Sequence, residues 1–162
     1  MFEFLPNLED SFTLLTKKRN KMDAKKFIVG TLAGGVAAFL LGWIIYGMLL
    51  MKFFEANAGS ATGVNRGETD MVWWALILGN LGMAALLTYI YGRWAGIKTF
   101  TTGAMAGAMI GLLLGVSYDF IMYATTNLMN MTGTIVDIVV TIVMMALVGG
   151  VVGAALGMGK DS

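Results

Sequence analysis

Asp119 and Asp137 are the residues of this chain best placed to do chemistry, because each lies inside a long apolar run that reads as a membrane-spanning helix. A carboxylate in hydrocarbon costs several kcal/mol, so each needs a compensating role. No lysine or arginine lies deep enough to neutralise them unless Lys52 snorkels inward. Burial without a cation favours at least one protonated carboxyl, and two close carboxyls titrate as a coupled pair. The turn between the two runs centres near Met129, which puts Asp119 about 15 Å and Asp137 about 12 Å below it at ~1.5 Å per residue. Tyr46, Asn80, Tyr118 and Tyr123 fall near the same depth, with Ser117 beside Asp119 and Thr125, Thr126, Asn127 and Asn130 around the outer rim. Together Asp119, Asp137, Asn80, Tyr46, Tyr118 and Tyr123 outline a candidate polar pocket, open to the exterior, for a proton, a cation or a polar headgroup. The alternative is that each aspartate makes an interhelical hydrogen bond that fixes register.

The elements that must hold these residues are four apolar segments, about 27–54, 71–92, 99–126 and 133–158, each long enough to cross a bilayer core. The composition agrees: 57% of the 162 residues are hydrophobic and only 13% charged, with 22 glycines and 14 methionines. Soluble domains carry roughly 25% charged residues. The expected fold is therefore an all-α, four-helix transmembrane bundle over residues 22–162, preceded by a basic segment at 1–21. The first segment is roughly twice the length of a signal-peptide core, which favours an uncleaved anchor despite the Ala56-Asn57-Ala58 sequence after it. There is no cysteine and no histidine, which excludes disulfides, thiolate or imidazole metal sites, and histidine- or cysteine-based triads. No cofactor or metal is expected.

Lys17, Lys18, Arg19, Lys21, Lys25 and Lys26 precede the first span, Arg93 and Lys98 lie in the second loop, and Lys160 follows the last span. The opposite side holds Lys52 and Arg66 beside Glu55, Glu68 and Asp70. The positive-inside rule then places both termini in the cytoplasm, with a bacterial inner membrane as the expected location. Trp73 and Trp74 at one end of the second span, and Tyr91 and Trp94 at the other, read as interfacial aromatic belts. Within residues 1–21, Leu8, Phe12 and Leu15 recur at helical spacing behind Asn7, which suits an amphipathic helix on the membrane surface. A disordered basic tail and a natural start at Met22 are equally consistent readings.

The first and third spans match at a constant offset of 73. Lys25 pairs with Lys98, Phe27 with Phe100, Gly30 with Gly103, Gly34 with Gly107 and Gly42 with Gly115. This predicts a duplicated helical hairpin whose halves are related by an axis along the membrane normal. At that offset Asp119 takes the place that Tyr46 holds in the first copy. Gly103, Gly107, Gly111 and Gly115 recur every four residues, and so do Gly149, Gly153 and Gly157. Such glycine zippers let helix backbones approach closely, and they equally permit a homo-oligomer. The bundle should be tight on the cytoplasmic side and looser outside. The methionines read as adaptable packing.

Gly42-Trp43-Ile44-Ile45-Tyr46-Gly47 followed by Phe53 and Gly59, the Gly103-x-x-x-Gly107 face, Asn127, Asp137 and the glycine-rich last helix resemble a small bacterial membrane family catalogued only as a domain of unknown function. The resemblance implies four spans and no established activity. From the residues themselves, a non-catalytic accessory or lipid-interacting bundle is the leading expectation. A small oligomeric transporter or channel for protons or cations, using Asp119 and Asp137, is the alternative. An enzyme is disfavoured, since no metal-ligand cluster, activated nucleophile or phosphate-binding loop accompanies the two acids. The expected partners are the lipid bilayer and a second copy or a larger membrane complex, with no nucleic acid.

Overall fold

The computed structural model describes residues 22–158; the expected amphipathic or basic segment at 1–21 and Lys160 lie outside the described residues. It is all-helical, with four helices long and apolar enough to cross a membrane: Ala24–Leu49, Trp73–Ala95, Phe100–Thr125 and Met131–Gly157. This is the architecture of a multi-pass membrane protein.

Each helix begins and ends for a local reason. α1 (Ala24–Gly42) opens on Asp23, whose carboxylate accepts the Lys25 amide at 3.1 Å. It then widens into a π-helical stretch, Trp43–Leu49, and bends at Leu50 (φ −111°, ψ 4°) into the short α2 (Met51–Ala56). The first apolar segment is therefore a long α-helix joined through a π-helical stretch to a short one, where the sequence predicts a single span over 27–54. α3 (Trp73–Tyr89) likewise passes into a π-helical end, Ile90–Ala95, which Gly96 stops in the left-handed region at φ +63°. α4 (Phe100–Thr125) is capped by the Thr99 side chain accepting the Thr102 amide. α5 (Met131–Gly157) is capped by Asn130 accepting the Gly133 amide at 2.9 Å.

α5 is the centre of the bundle. It packs along α4 on one flank and α1 on another, while α3 packs on α1 and reaches α5 near the end that carries Ala24 and Gly157. The α4–α5 seam is a backbone-to-backbone contact. A Cβ on Gly103 would meet the Gly149 carbonyl, one on Gly107 the Met145 carbonyl, and one on Gly153 the Thr99 carbonyl. Gly111 faces Met145 Cβ and the Thr141 carbonyl, and Gly157 faces the Lys98 carbonyl. The α1 seam uses Gly30 against Thr88 and Leu156, and Gly34 against Val152 and Ala84. Without a hydrophobic drive between helices in lipid, this close approach supplies the dispersion contact that holds them together.

The apolar core (Ala38, Leu87, Tyr91, Met145, Val148, Val152 and Leu156) occupies the half of the bundle nearer Ala24 and Gly157, here called the termini end. Tyr91 is fully buried there, and its hydroxyl donates to the Gly103 carbonyl at 2.7 Å. It is thus an interior tie between α3 and α4 rather than a belt residue, whereas Trp73, Trp74 and Trp94 are exposed. Tyr91→Phe keeps the ring and removes the donor. A loss of about 0.6–1.7 kcal/mol in detergent unfolding is expected, the range seen for hydrogen bonds inside membrane bundles.

At the opposite, turn end, a strap closes the bundle. The Gly59 amide donates to the Leu128 carbonyl, the Ala61 amide to the Asn127 carbonyl, and the Asn130 amide to the Asn57 carbonyl. Asn130 Nδ2 adds a bond to Asn57 Oδ1 at 3.1 Å, joining two residues that stand 73 apart. A Cβ on Gly59 would collide with the Asn127 carbonyl. Gly59→Ala is therefore expected to open the strap, read as faster amide hydrogen exchange at residues 57–61 and 127–130. Unchanged exchange would mean that the strap tolerates the methyl.

Candidate functional site: an intramembrane carboxyl pair

The buried residues of α4 are Gly103, Gly107, Gly111, Gly115 and Asp119, a single stripe at i, i+4 spacing that faces α5. The glycines bring the two backbones together, and the next residue of the stripe after Gly115 is an acid. At Gly115 an added Cβ would lie 3.4 Å from Ile138 Cα and 3.5 Å from Thr141 Cβ, ordinary contact, so the seam that is closed to a methyl at Gly103, Gly107 and Gly111 admits one here. Asp119, one turn further, is 5% exposed, and its Oδ2 is buried with no hydrogen-bond partner.

Asp137 enters from α5. Asp119 lies six residues before Thr125 and Asp137 six residues after Met131, so both sit about 9 Å inside their helix ends. Gly115 lies against Ile138 and Thr141 of the antiparallel α5, so Asp119, one turn further, comes level with Asp137. Asp137 Oδ1 accepts a 2.6 Å hydrogen bond from the Tyr46 hydroxyl of the π-helical stretch. That distance is at the short end of the O–H···O range and fits a bond to a carboxylate. The Tyr46 hydroxyl also meets the Thr141 side chain, one turn along from Asp137. On the turn side, the Tyr46 ring stacks on Phe54, with centroids 5.5 Å apart and planes at 29°. The Tyr46 hydroxyl is the side-chain donor to the pair, which otherwise sits in apolar surroundings. Lys52, on α2, is exposed. Among the described residues, no group of three or more His, Cys, Asp or Glu could hold a metal ion.

The six residues of the candidate pocket therefore divide. Tyr46, Asp119 and Asp137 come together. Asn80 instead donates to the Leu76 carbonyl of its own helix at 2.8 Å, and Tyr118 (65% exposed) and Tyr123 (40% exposed) lie on the outside of α4. Thr141 and Phe54 belong to the site and were not among the six. Thr141 was readable as the residue one helical turn from Asp137, whereas nothing in the local sequence places Phe54 on Tyr46. The site reaches the flank of the bundle at the exposed Tyr46 and the half-buried Asp137, and Phe54 covers one face of the Tyr46 ring.

Tyr46→Phe isolates the hydroxyl. It is expected to lower stability by about 0.6–1.7 kcal/mol, and a double-mutant cycle with Asp137→Asn should recover most of that as coupling. Additive effects of the two changes would show that the bond contributes nothing.

No family model matches the chain, and neither a curated protein nor a solved structure matches it.

Proposed function

We propose that this chain is a non-enzymatic, multi-pass protein of a bacterial inner membrane that binds one monovalent cation, a proton included, at the Asp119–Asp137 pair. The observation that carries the reading is Asp119 Oδ2, a buried oxygen without a partner beside a second carboxyl. Two adjacent negative charges in a low-dielectric setting repel strongly, and among the described residues no basic side chain is bonded to either. A single bound positive charge removes that cost.

Both termini are assigned to the cytoplasm. Lys25, Lys26, Arg93 and Lys98 gather at the termini end, and Lys52 and Arg66 are balanced by Glu55 and Asp70 at the other, which supports this orientation. The site then lies in the outer half of the bilayer, above glycine-zipper seams. Between it and the cytoplasmic face stands the apolar core of Leu87, Met145, Val148 and Val152. That packing favours binding within an accessory bundle, in contact with lipid and with a second copy or a larger complex, over conduction through a single chain.

The test combines two measurements on purified protein. Thermal stability should depend on pH or on sodium or potassium concentration, and the dependence should vanish in Asp119→Asn/Asp137→Asn. Stability that is equally insensitive in both proteins removes the cation site. In sealed vesicles, wild type and the double variant should show equal proton and cation flux. A flux abolished by Asp119→Asn would replace the accessory reading with a transporter.

A further inference from the structure

The cation site just proposed leaves its occupant open between a proton and a metal ion, and the geometry around Asp119 decides between them. Asp119 Oδ2 has essentially no accessible surface, and one turn away, at Gly115, the seam admits a single methyl in ordinary contact with Ile138 Cα at 3.4 Å. A sodium or potassium ion replaces its hydration shell with several oxygens arranged around it. The oxygens within the site are those of the two carboxyls, Tyr46 and Thr141, and the Tyr46 hydroxyl hydrogen is already committed to Asp137 Oδ1. A proton needs one oxygen and no added volume.

The two acids are also inequivalent. Asp137 is half-buried, holds the donor Tyr46 and has the Thr141 hydroxyl close by, so a short bond supports its anionic form. Asp119 faces α5, which brings it Asp137 and no donor to Oδ2; the π-helical stretch contributes Tyr46, which donates to Asp137; α2 carries Lys52, which is exposed, and α3 has no charged residue.

We infer that the bound cation is a single proton carried by Asp119, with Asp137 held as the anion by Tyr46, so that the pair keeps one net negative charge. This rests on the cation-binding reading above. Uptake is the addition of a proton from water to the Asp119 carboxylate: an O–H bond forms on Asp119 as one breaks in hydronium, leaving water.

Infrared difference spectra of the full chain in lipid nanodiscs at neutral pH, in H2O and D2O, test this. A carboxylic-acid C=O band that shifts in D2O is expected in wild type, retained in Asp137→Asn and lost in Asp119→Asn. Tyr46→Phe should keep the band and move its frequency, and serves as the milder probe where an aspartate variant fails to give monodisperse, helical protein. Sodium and potassium titrations followed by calorimetry should give no heat that depends on Asp119. A missing band together with Asp119-dependent sodium or potassium binding overturns the proton and keeps the cation site. A missing band with no such binding overturns both. A band lost only in Asp137→Asn reverses the roles of the two acids and overturns the inference.

Discussion

Gly107→Leu is expected to part α4 from α5 and to cost about 3 kcal/mol or more, at the upper end of what overpacking a tight interior costs. A Cβ alone at Gly107 would run into the Met145 carbonyl, and the neighbouring obstacle is the Ala146 Cα, so both are backbone and neither can swing aside. The same seam carries Gly103, Gly149 and Gly153, all of which abut main-chain atoms, so the helices can relieve the clash only by separating along their length. Gly79→Ala and Gly82→Ala are the controls. A Cβ at either meets nothing within 4 Å, and both lie on α3, where alanine in place of glycine favours the helix by up to about 1 kcal/mol. Equilibrium unfolding in bicelles measures all three. If Gly107→Leu unfolds at the wild-type midpoint, the backbone seam does not hold the hairpin together.

The two aspartates are expected to respond to truncation with opposite signs. Asp119→Ala removes an acid whose Oδ2 is buried without a partner, and an unsatisfied buried polar atom costs about 1–3 kcal/mol. The small space left between α4 and α5 offsets part of that gain, so a net increase of about 1 kcal/mol is expected. Asp137→Ala takes the acceptor away from Tyr46 and should destabilise by about 0.6–1.7 kcal/mol. A group retained at a cost to the fold is what a binding site looks like thermodynamically. Equal losses from both truncations would identify Asp119 as an ordinary structural contact and leave the pair without a ligand.

The spans were legible because hydrocarbon demands long apolar helices, and the α4 stripe was legible because an unbroken α-helix repeats its face. Gly115 plus four is Asp119, and no more than that was needed to aim it at α5. Asp137 was harder, since its partner Tyr46 lies in a π-helical stretch whose i→i+5 bonding rotates each residue away from its α-helical direction. No periodicity computed at 100° per residue reaches across it. Asn80, Thr125, Thr126 and Thr134 show a second limit. Each returns its side chain to a carbonyl of its own helix, four residues back, so a polar residue at membrane depth need not join any site. Tyr91 shows a third: at a helix end the sequence cannot tell an interfacial ring from one turned inward.

The central place of α5 bears on how the protein is made. Of the four spans it is the last to leave the ribosome, yet it is the one against which α1, α3 and α4 all pack. Until it inserts, the glycine face of α4 has nothing to meet, and residues 57–61 wait for the turn at 127–130 that α5 completes. Before that, α1 and α3 can already pack on one another through Gly34 and Gly35, while α4 waits unpaired. Assembly is a late event set by the arrival of one helix, and a ribosome stalled before residue 131 would leave a chain that is inserted but not folded.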